Sequence, residues 1–289
     1  MSSRTLSSVA VVTVTYNSST IIAEFLASVR DSEETPPPVW VIDNDSSDWR
    51  ETEVIALSFG AHFQNLGENR GYGGAVNAAV HSLPSDITAV LISNPDLTVA
   101  TRAISTLVAA LVEAPTSAAA GPRVLNPDGS VYPSARNQPS LRTGIGHALF
   151  SGIWPGNPWS RTYRQELPTF ESSRREVGWL SGACLAVDRD AFSAVGGFDE
   201  DFFMYFEDVE LGRRFLHNGY TNLYVPSASV THLGAHSTRS NSAQMITAHH
   251  DSAYLFLSKR YSGPLYAPLR LALRIALRVR AGWQSVRTR

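Results

Sequence analysis

Two adjacent carboxylates, Glu207 and Asp208, follow an aromatic stretch at 202–206 and precede a run with helical spacing. Carboxylates beside aromatic surface lose part of their hydration, which raises their pKa and suits one of them to accept a proton at neutral pH. Acidic residues are also common at helix N-termini, where they cap free backbone N–H groups. The motif alone therefore leaves a general base and an ordinary helix cap as alternatives.

Another carboxylate, Asp96, closely follows the apolar run at 89–93 and is fixed in place by Pro95. A Mg²⁺ ion that bridges phosphates takes one or two protein carboxylates and keeps several waters, so Asp96 suits such an ion. Asn94 offers a weaker neutral oxygen at the same place, and we assign it to the nucleotide site. An Asn-Pro-Asp turn without a metal is the alternative.

Polar residues also end two other apolar runs, with Thr15, Tyr16 and Asn17 after the first and Asp43 after the second. A carboxylate at the tip of a strand can accept hydrogen bonds from a base N–H or a ribose hydroxyl. The competing interpretation is an Asx-turn or the cap of the next helix. We expect all four residues to bind a nucleotide.

A glycine-rich segment, residues 65–77, reads NLGENRGYGGAVN. Clustered glycines let backbone N–H groups approach an anion, and a helix N-terminus favours a diphosphate. Asn69, Arg70 and Gly71 are therefore assigned to nucleotide binding. A dehydrogenase-type dinucleotide motif fits poorly, because its glycines follow the first strand and its acid comes later, whereas Asp43 precedes these glycines.

The elements that must position these residues can be predicted from the pattern of apolar residues. Continuous apolar and β-branched runs indicate buried parallel strands at 9–15, 39–43, 61–64 and 89–93, with helices between them. Ligands of such sheets bind beyond the C-terminal ends of the strands. Residues 132–176 predict extended loops. Regular structure then returns at 179–187, 189–195 (helix), 208–218 (helix) and 220–225 (strand).

Composition describes an ordinary globular protein, with 43% apolar and 17% charged residues. The single cysteine, Cys184, excludes a disulfide framework and a cysteine-based zinc cluster, and it fits a reducing compartment. Because it lies in an apolar strand, we expect it to be structural. No secretory signal and no membrane-spanning stretch are predicted.

The C-terminal segment is basic although the whole chain carries a net charge of −2. Residues 259–289 contain eight basic and no acidic residues, so the rest carries 24 − 8 = 16 basic against 26 acidic residues. From 265 to 280 arginines recur every fourth residue beside apolar ones. This pattern predicts an amphipathic helix lying on an anionic membrane, and a helix packed on the acidic body is the alternative. Nucleic-acid binding is disfavoured because no second motif accompanies the basic stretch.

The chain resembles the inverting GT-A-fold glycosyltransferases of family 2 over roughly residues 8–260. The resemblance lies in the order of four features: Asp43, the glycine-rich segment, Asn94-Pro95-Asp96 and Glu207-Asp208. The resemblance implies an α/β fold with a mostly parallel nucleotide-binding sheet flanked by helices. It divides the chain into a nucleotide-sugar half (1–122), an acceptor half (123–260) and the basic amphipathic tail (261–289).

Site roles also follow from this resemblance. It implies that Asp43 contacts the nucleobase, that Asp96 holds Mg²⁺ or Mn²⁺ on the diphosphate, and that Asp208 is the general base, with Glu207 at the acceptor. His232 resembles the histidine that many members place on the metal, with a strand-end histidine as the alternative. Trp179 either stacks on the acceptor sugar or belongs to the core. Asn94 departs from the family's D-x-D pattern.

Four segments, at 126–136, 179–184, 235–238 and 248–254, resemble the rhamnosyltransferases of the actinobacterial cell-wall linker. That resemblance implies transfer of L-rhamnose from dTDP-L-rhamnose to N-acetylglucosamine on a polyprenyl diphosphate, by a cytoplasmic enzyme on the inner face of the plasma membrane. The alternatives are a family 2 enzyme with another nucleotide-sugar, a sugar nucleotidyltransferase, and a non-catalytic sensor. The nucleotidyltransferase would carry a basic glycine-rich loop after the first strand, which is absent here.

Overall fold

The structure is a computed structural model that describes residues 8–139, 173–234 and 242–287. Its helices are α1 (Ile22–Ser32), α2 (Trp49–Ser58), α3 (Gly71–Ser82), α4 (Ala103–Glu113), α5 (Arg189–Ala194), α6 (Glu207–His217), α7 (Ser242–Arg260) and α8 (Ala267–Arg287). Its strands are β1 (Val9–Thr15), β2 (Val39–Asp43), β3 (His62–Asn65), β4 (Ala89–Ser93), β5 (Leu97–Val99), β6 (Ser117–Leu125), β7 (Val131–Tyr132), β8 (Ala135–Arg136), β9 (Arg175–Val177), β10 (Trp179–Leu180), β11 (Cys184–Asp188) and β12 (Thr221–His232).

Within the described residues, the main sheet runs in the order β3-β2-β1-β4-β11-β6-β12-β5. The first four of these strands are parallel, with Thr15 opposite Asp43 and Thr13 opposite Ser93. The C-terminal ends of parallel strands meet at one edge of a sheet, so this register brings the polar residues that follow β1, β2 and β4 together there. Strand β11 is antiparallel to both β4 and β6 and extends the sheet toward the second half of the chain.

Helices cover both faces of the sheet, which explains why β1 and β4 are buried along their whole length. One core cluster packs α1 and α4 on the sheet around Phe25 and Ile104. The other packs α3, α5 and α6 on the opposite face around Phe192 and Phe215. Cys184 is a buried free thiol within the first cluster. The predicted α/β architecture and the structural role of this cysteine are thus confirmed.

The predicted strands at 9–15, 39–43 and 89–93 have the same bounds in the structure, and β3 is shifted by one residue. The expectation of extended loops at 132–176 omitted short strands at both of its ends, and residues 140–172 lie outside the described residues. The last strand was predicted too short, since β12 continues to His232. The proposed division at residue 122 falls inside β6, so it does not coincide with a break in the sheet.

The C-terminal part forms two packed helices, α7 and α8, joined by a 3₁₀ helix at Pro264–Tyr266. Helix α7 contributes Phe256 to a third apolar cluster with Phe202 and Val209. On α8, Leu271 and Ile275 are exposed. Among the described helices, none combines the length and the apolar composition required to cross a bilayer.

Candidate active site

Asp43 lies at the edge of the sheet but is fully buried. One of its oxygens accepts hydrogen bonds from the hydroxyls of Thr15 (3.0 Å) and Ser46 (2.6 Å), and the other accepts one from the Ser46 backbone N–H (2.9 Å). This arrangement contains the local turn that was the alternative to nucleobase binding. In the free protein Asp43 therefore orders the strand ends, and its contact with a base stays a prediction.

The loops after β1 and β2 are tied together by Asn17, whose backbone has a positive φ of 52°. Its side-chain oxygen accepts hydrogen bonds from the backbone N–H and the hydroxyl of Ser47, at 3.0 and 2.9 Å. Its own N–H donates to the Ser46 hydroxyl. Tyr16 remains 46% exposed beside them, so its ring is accessible to a planar ligand at this edge.

The glycine-rich turn is held by Asn44, a buried residue that was not assigned to the site from the sequence. The Asn44 amide nitrogen donates to the Asn69 side-chain oxygen (3.0 Å) and to the Gly71 carbonyl (3.2 Å), and its oxygen accepts from the Arg70 N–H (2.9 Å). Asn69 also accepts from the Gly71 N–H. Two asparagines thus fix the backbone of the three residues predicted to bind a nucleotide.

Gly71 begins α3 with a φ of 71°, and a side chain there would collide with the backbone of Phe203. The Tyr72 N–H donates to the Phe203 carbonyl at 3.2 Å. The glycine turn is consequently in direct contact with the aromatic stretch that precedes Glu207. This contact joins the nucleotide edge to the second half of the chain.

Asp96 and His232 lie side by side, with 3.0 Å between a carboxylate oxygen and the imidazole Nε2. They meet because β5 and β12 are antiparallel neighbours, with His232 opposite Leu97. The carboxylate suits Mg²⁺ or Mn²⁺, which complete their shells with phosphate oxygens and waters, whereas the imidazole nitrogen suits Mn²⁺ better than Mg²⁺, which takes oxygen ligands. Within the described ranges no group of three or more His, Cys, Asp or Glu side chains forms a metal cluster, so such an ion would rely on these two residues and its ligand.

Glu207 and Asp208 occupy the first turn of α6. Asp208 accepts hydrogen bonds from the backbone N–H groups of Gly182 (3.0 Å) and Val209 (2.8 Å). Burial raises the pKa of Asp208, and these two N–H groups oppose the rise. Burial and the neighbouring Asp208 raise the pKa of Glu207 to about 8, and its Oε2 is buried without a hydrogen-bond partner among the described residues. Asp208 accepts from two neighbouring backbone N–H groups whereas the Glu207 Oε2 has no donor among the described residues, so the arrangement favours Glu207 as the holder of a shared proton.

The backbone that leads into this pair is strained. Tyr205 and Phe206 both have a φ of 67°, a region that residues with side chains seldom adopt. Such strain is concentrated at functional sites, where surrounding contacts must maintain it. Helix α7 supplies some of these contacts, including a hydrogen bond from Ser252 to the Met204 carbonyl (2.7 Å) and ring contact between Phe206 and Phe256.

Tyr72 connects the separate parts of the site. Its hydroxyl donates to the Gly182 carbonyl at 2.7 Å, and the Gly182 N–H in turn donates to Asp208. Burial raises the pKa of Tyr72, and the nearby carboxylates Glu207, Asp208 and Asp96 raise it further. The charges of the adjacent pair Glu207 and Asp208 and of the distant Asp96 thus all act on one phenol. The Asn94 backbone N–H donates to the Ala183 carbonyl at 2.8 Å, so the chain that leads to Asp96 lies beside Gly182, which binds Asp208.

Trp179 is partly buried at the edge of the third cluster, with its indole N–H donating to the Asn137 carbonyl (3.1 Å). It combines a packed side with a partly open one, so acceptor stacking stays a prediction. Arg213 forms a two-point ion pair with Glu210, and Arg214 binds the carbonyls of Val195 and Gly197. Both arginines therefore make structural contacts within the protein.

The sequence model of glycosyl transferase family 2 matches residues 10–195 of this chain. The N-acetylglucosaminyl-diphospho-decaprenol L-rhamnosyltransferase of Mycobacterium tuberculosis (strain ATCC 25618 / H37Rv) is 44% identical over 280 residues, which cover 94% of this chain and 91% of that protein. Rhamnosyltransferase WbbL of Escherichia coli (strain K12) is 32% identical over 84 residues, or 29% of this chain and 32% of WbbL.

Among solved structures, GalNAc-T7 with UDP, GalNAc and Mn²⁺ has a TM-score of 0.61 at 17% identity, covering 93% of this chain and 54% of its own. The mannosyltransferase PcManGT from Pyrobaculum calidifontis, in complex with GDP-Man and Mn²⁺, has a TM-score of 0.55 at 18% identity, covering 95% of this chain and 71% of its own. These similarities show the GT-A fold. The family model ends before Glu207, so the carboxylate pair lies outside the matched residues.

Proposed function

Since the chain belongs to glycosyltransferase family 2, we propose that it transfers L-rhamnose from dTDP-L-rhamnose to N-acetylglucosamine carried on a polyprenyl diphosphate, with inversion at the anomeric carbon. The identity of 44% along nearly the whole length of both chains supports this choice, because the name of that relative states the sugar and the acceptor. For the chemistry, the observation that carries the proposal is geometric: Gly182 accepts from the Tyr72 hydroxyl and donates to Asp208, and its neighbour Ala183 accepts from Asn94, two residues before Asp96. Family membership decides against a nucleotidyltransferase.

In this proposal Asp208 is the general base. The acceptor hydroxyl oxygen attacks the anomeric carbon of the donor, a new C–O bond forms, and the bond to the diphosphate breaks as the hydroxyl proton passes to Asp208. The hydrogen bonds from Gly182 and Val209 keep Asp208 ionised and fix its direction. Its raised pKa makes it a stronger base than an exposed aspartate.

Glu207 is proposed to contact the acceptor in its protonated form. Its Oε2 has no partner within the described parts of the chain, and a protonated carboxyl can donate a hydrogen bond to an acceptor oxygen. A neutral Glu207 also avoids a second negative charge next to Asp208 while that residue takes up the proton. Trp179 is proposed to lie against the acceptor sugar.

Asp96 and His232 are proposed to hold Mg²⁺ or Mn²⁺, with Asn94 near the nucleotide. When bound, the cation would supply Lewis-acid stabilisation of the leaving diphosphate. The donor's nucleoside is proposed to lie along Thr15, Tyr16, Asn17 and Asp43, with Asn69, Arg70 and Gly71 facing its phosphates. The position of these residues along one edge of the sheet supports this assignment.

We also propose that residues 264–289 hold the enzyme on the inner face of the plasma membrane, where a lipid-linked acceptor is available. Leu265, Leu271 and Ile275 are 91%, 61% and 56% exposed, which favours a surface that meets lipid. Arg270 does not belong to this surface, because it donates to the carbonyls of Tyr261 and Gly263. Replacing the exposed Leu271 and Ile275 by serine should release the protein from anionic vesicles in a flotation assay, whereas unchanged flotation would favour a tail that serves the protein body.

The decisive experiment is a nucleotide-release assay across dTDP-, UDP- and GDP-sugars, with and without Mg²⁺ and the lipid acceptor. We expect release only with dTDP-L-rhamnose, acceptor and metal together, and mass spectrometry of the product should show one added deoxyhexose. A preference for another donor would leave the family assignment intact and replace the proposed substrate. Nucleotide release that does not depend on the acceptor would argue against sugar transfer to this lipid.

A further inference from the structure

A small second sheet lies next to the proposed base. Strands β8 and β10 pair antiparallel, which places Arg136 directly opposite Trp179. Two residues beyond β10, Gly182 donates its N–H to Asp208. On the other side, Trp179 packs so closely on α6 that a side chain at Gly212 would come within 2.7 Å of its Cβ. Arg136 and Trp179 therefore form one platform beside Asp208.

Arg136 forms no ion pair with an acid among the residues that the structure describes. Its Nε donates to the Pro133 carbonyl at 2.8 Å, which fixes the direction of the guanidinium. The guanidinium carbon lies 5.7 Å from the centre of the Trp179 ring. The side chain is partly exposed, so its terminal nitrogens can reach a ligand. Its charge is also close enough to Asp208 to favour the ionised form of that carboxyl.

A positive charge at this place would balance the negative charge of the acceptor's phosphate. Under the proposed function the acceptor sugar carries its own diphosphate, and it must bind near Asp96, Glu207 and Asp208, whose charges all act on Tyr72. A divalent ion at Asp96 would serve the donor's diphosphate, which leaves the acceptor's phosphate without a counter-charge. Arginine suits such a group because its planar N–H donors match phosphate oxygens in pairs.

We infer that Arg136 binds the phosphate group adjoining the acceptor sugar, while Trp179 supports the sugar itself, so that this pair selects phosphate-linked over neutral acceptors. The inference rests on the proposed function and assigns the acceptor side of its site. Trp179 is oriented for this role by its hydrogen bond to Asn137. The hydroxyl that reacts then points toward Asp208, and the phosphate lies at the far side of the same sugar ring.

Two acceptors and three variants test this inference. The acceptors are N-acetylglucosaminyl diphosphate on a short prenyl chain and the uncharged octyl N-acetylglucosaminide. The variants are Arg136→Gln, Arg136→Lys, and the control Arg174→Gln, which removes a surface arginine paired with Glu113. In Arg136→Gln we expect the KM for the diphosphate acceptor to rise roughly 10- to 100-fold, the effect of losing a charged hydrogen bond, with little change for the neutral acceptor. Arg136→Lys should keep part of the selectivity, and Arg174→Gln should behave like the wild type.

The result that overturns the inference is an equal loss with both acceptors, together with a shifted pH profile. Arg136 would then act by keeping Asp208 ionised and not by binding phosphate. Unchanged kinetics with both acceptors would overturn it as well. A wild-type enzyme that uses neither acceptor would instead refute the proposed function, and the inference would fall with it.

Discussion

Replacing Glu207 by glutamine tests the protonation of the carboxylate pair without relying on any substrate. Glutamine has nearly the same shape as a protonated glutamate, but it cannot ionise. If Glu207 is neutral in the folded protein, the variant should fold normally and should differ from the wild type mainly in how its stability depends on pH. The neighbours that act on Glu207 include Asp208, while Tyr72 and Tyr205 in turn respond to its charge.

The sign and size of the effect follow from the pKa of Glu207. This pKa is raised from 4.5 to about 8 on folding, so between these values the folded protein holds a proton that the unfolded chain has released. The contribution of the neutral carboxyl is therefore fully present below the unfolded pKa and is lost as the pH rises toward the folded pKa. The loss is about 1.4 kcal/mol per pH unit, with an upper limit of roughly 5 kcal/mol over the window from 4.5 to 8. The shared titration with Asp208 reduces this value.

Urea unfolding of the wild type and Glu207→Gln between pH 5 and pH 9 measures this difference directly. We expect the stability of the wild type to fall relative to that of the variant as the pH rises. The test is the pH dependence of the difference in unfolding free energy, and not its absolute size, because the buried glutamine amide adds a cost that does not change with pH. Glu51→Gln, at an exposed position on α2, provides the matched control. Parallel stability curves for wild type and Glu207→Gln would refute the reasoning.

Three other changes probe the remaining parts of the site. Asp208→Asn should fold and bind nucleotide but lose transfer by roughly 100-fold or more. Its control, Asp190→Asn, also lies in the first turn of a helix and should keep its activity. Equal losses of activity in both variants would favour the helix-capping alternative. Asp96→Asn should raise the Mn²⁺ concentration needed for half-maximal transfer by roughly 10-fold or more, measured by metal titration after chelation, and an unchanged requirement would place the ion elsewhere. Asn44→Ala should destabilise the protein by about 1–3 kcal/mol in urea unfolding and raise the KM for the donor, and a normal KM would show that the glycine turn does not bind it.

Much of the fold could be predicted because its central strands are continuous apolar runs. Val9–Thr15 and Ala89–Ser93 have no other stable location than a sheet covered on both faces. Strand β6 could not be predicted in the same way, because its Ala-Ala-Ala-Gly-Pro segment has low β-propensity. It is a strand because β11 and β12 pair with it on either side, and such pairing cannot be read from local sequence.

The site shows the same division between local and long-range information. Residue type and order, with the family resemblance that they carry, led to the prediction that Asp96 and Asp208 belong to one site. They did not indicate Tyr72, which lies 110 positions from the Gly182 carbonyl that it contacts, or Arg136, whose position depends on its pairing with Trp179. The burial of Asp43 was also not indicated by local sequence, because one of its hydrogen-bonding partners, Thr15 at the end of β1, lies 28 positions away.

Helix α7 contacts the strained backbone that precedes Glu207 and Asp208, and so it helps to hold the carboxylate pair in place. Two residues with side chains at positive φ cost of order 1–3 kcal/mol each, and α7 offsets this with the Ser252 hydrogen bond, the Phe256 ring contact and the ion pair from Lys259 to Asp199 at 2.5 Å. All of these contacts precede residue 264. A chain truncated before residue 264 should therefore keep transfer to a short-chain acceptor while losing vesicle binding. A chain truncated before residue 242 should lose both, because Glu207 and Asp208 would no longer be held in place. If the chain truncated before residue 242 retained its transfer rate, the strained backbone would have to be maintained by the sheet and by Gly71 alone.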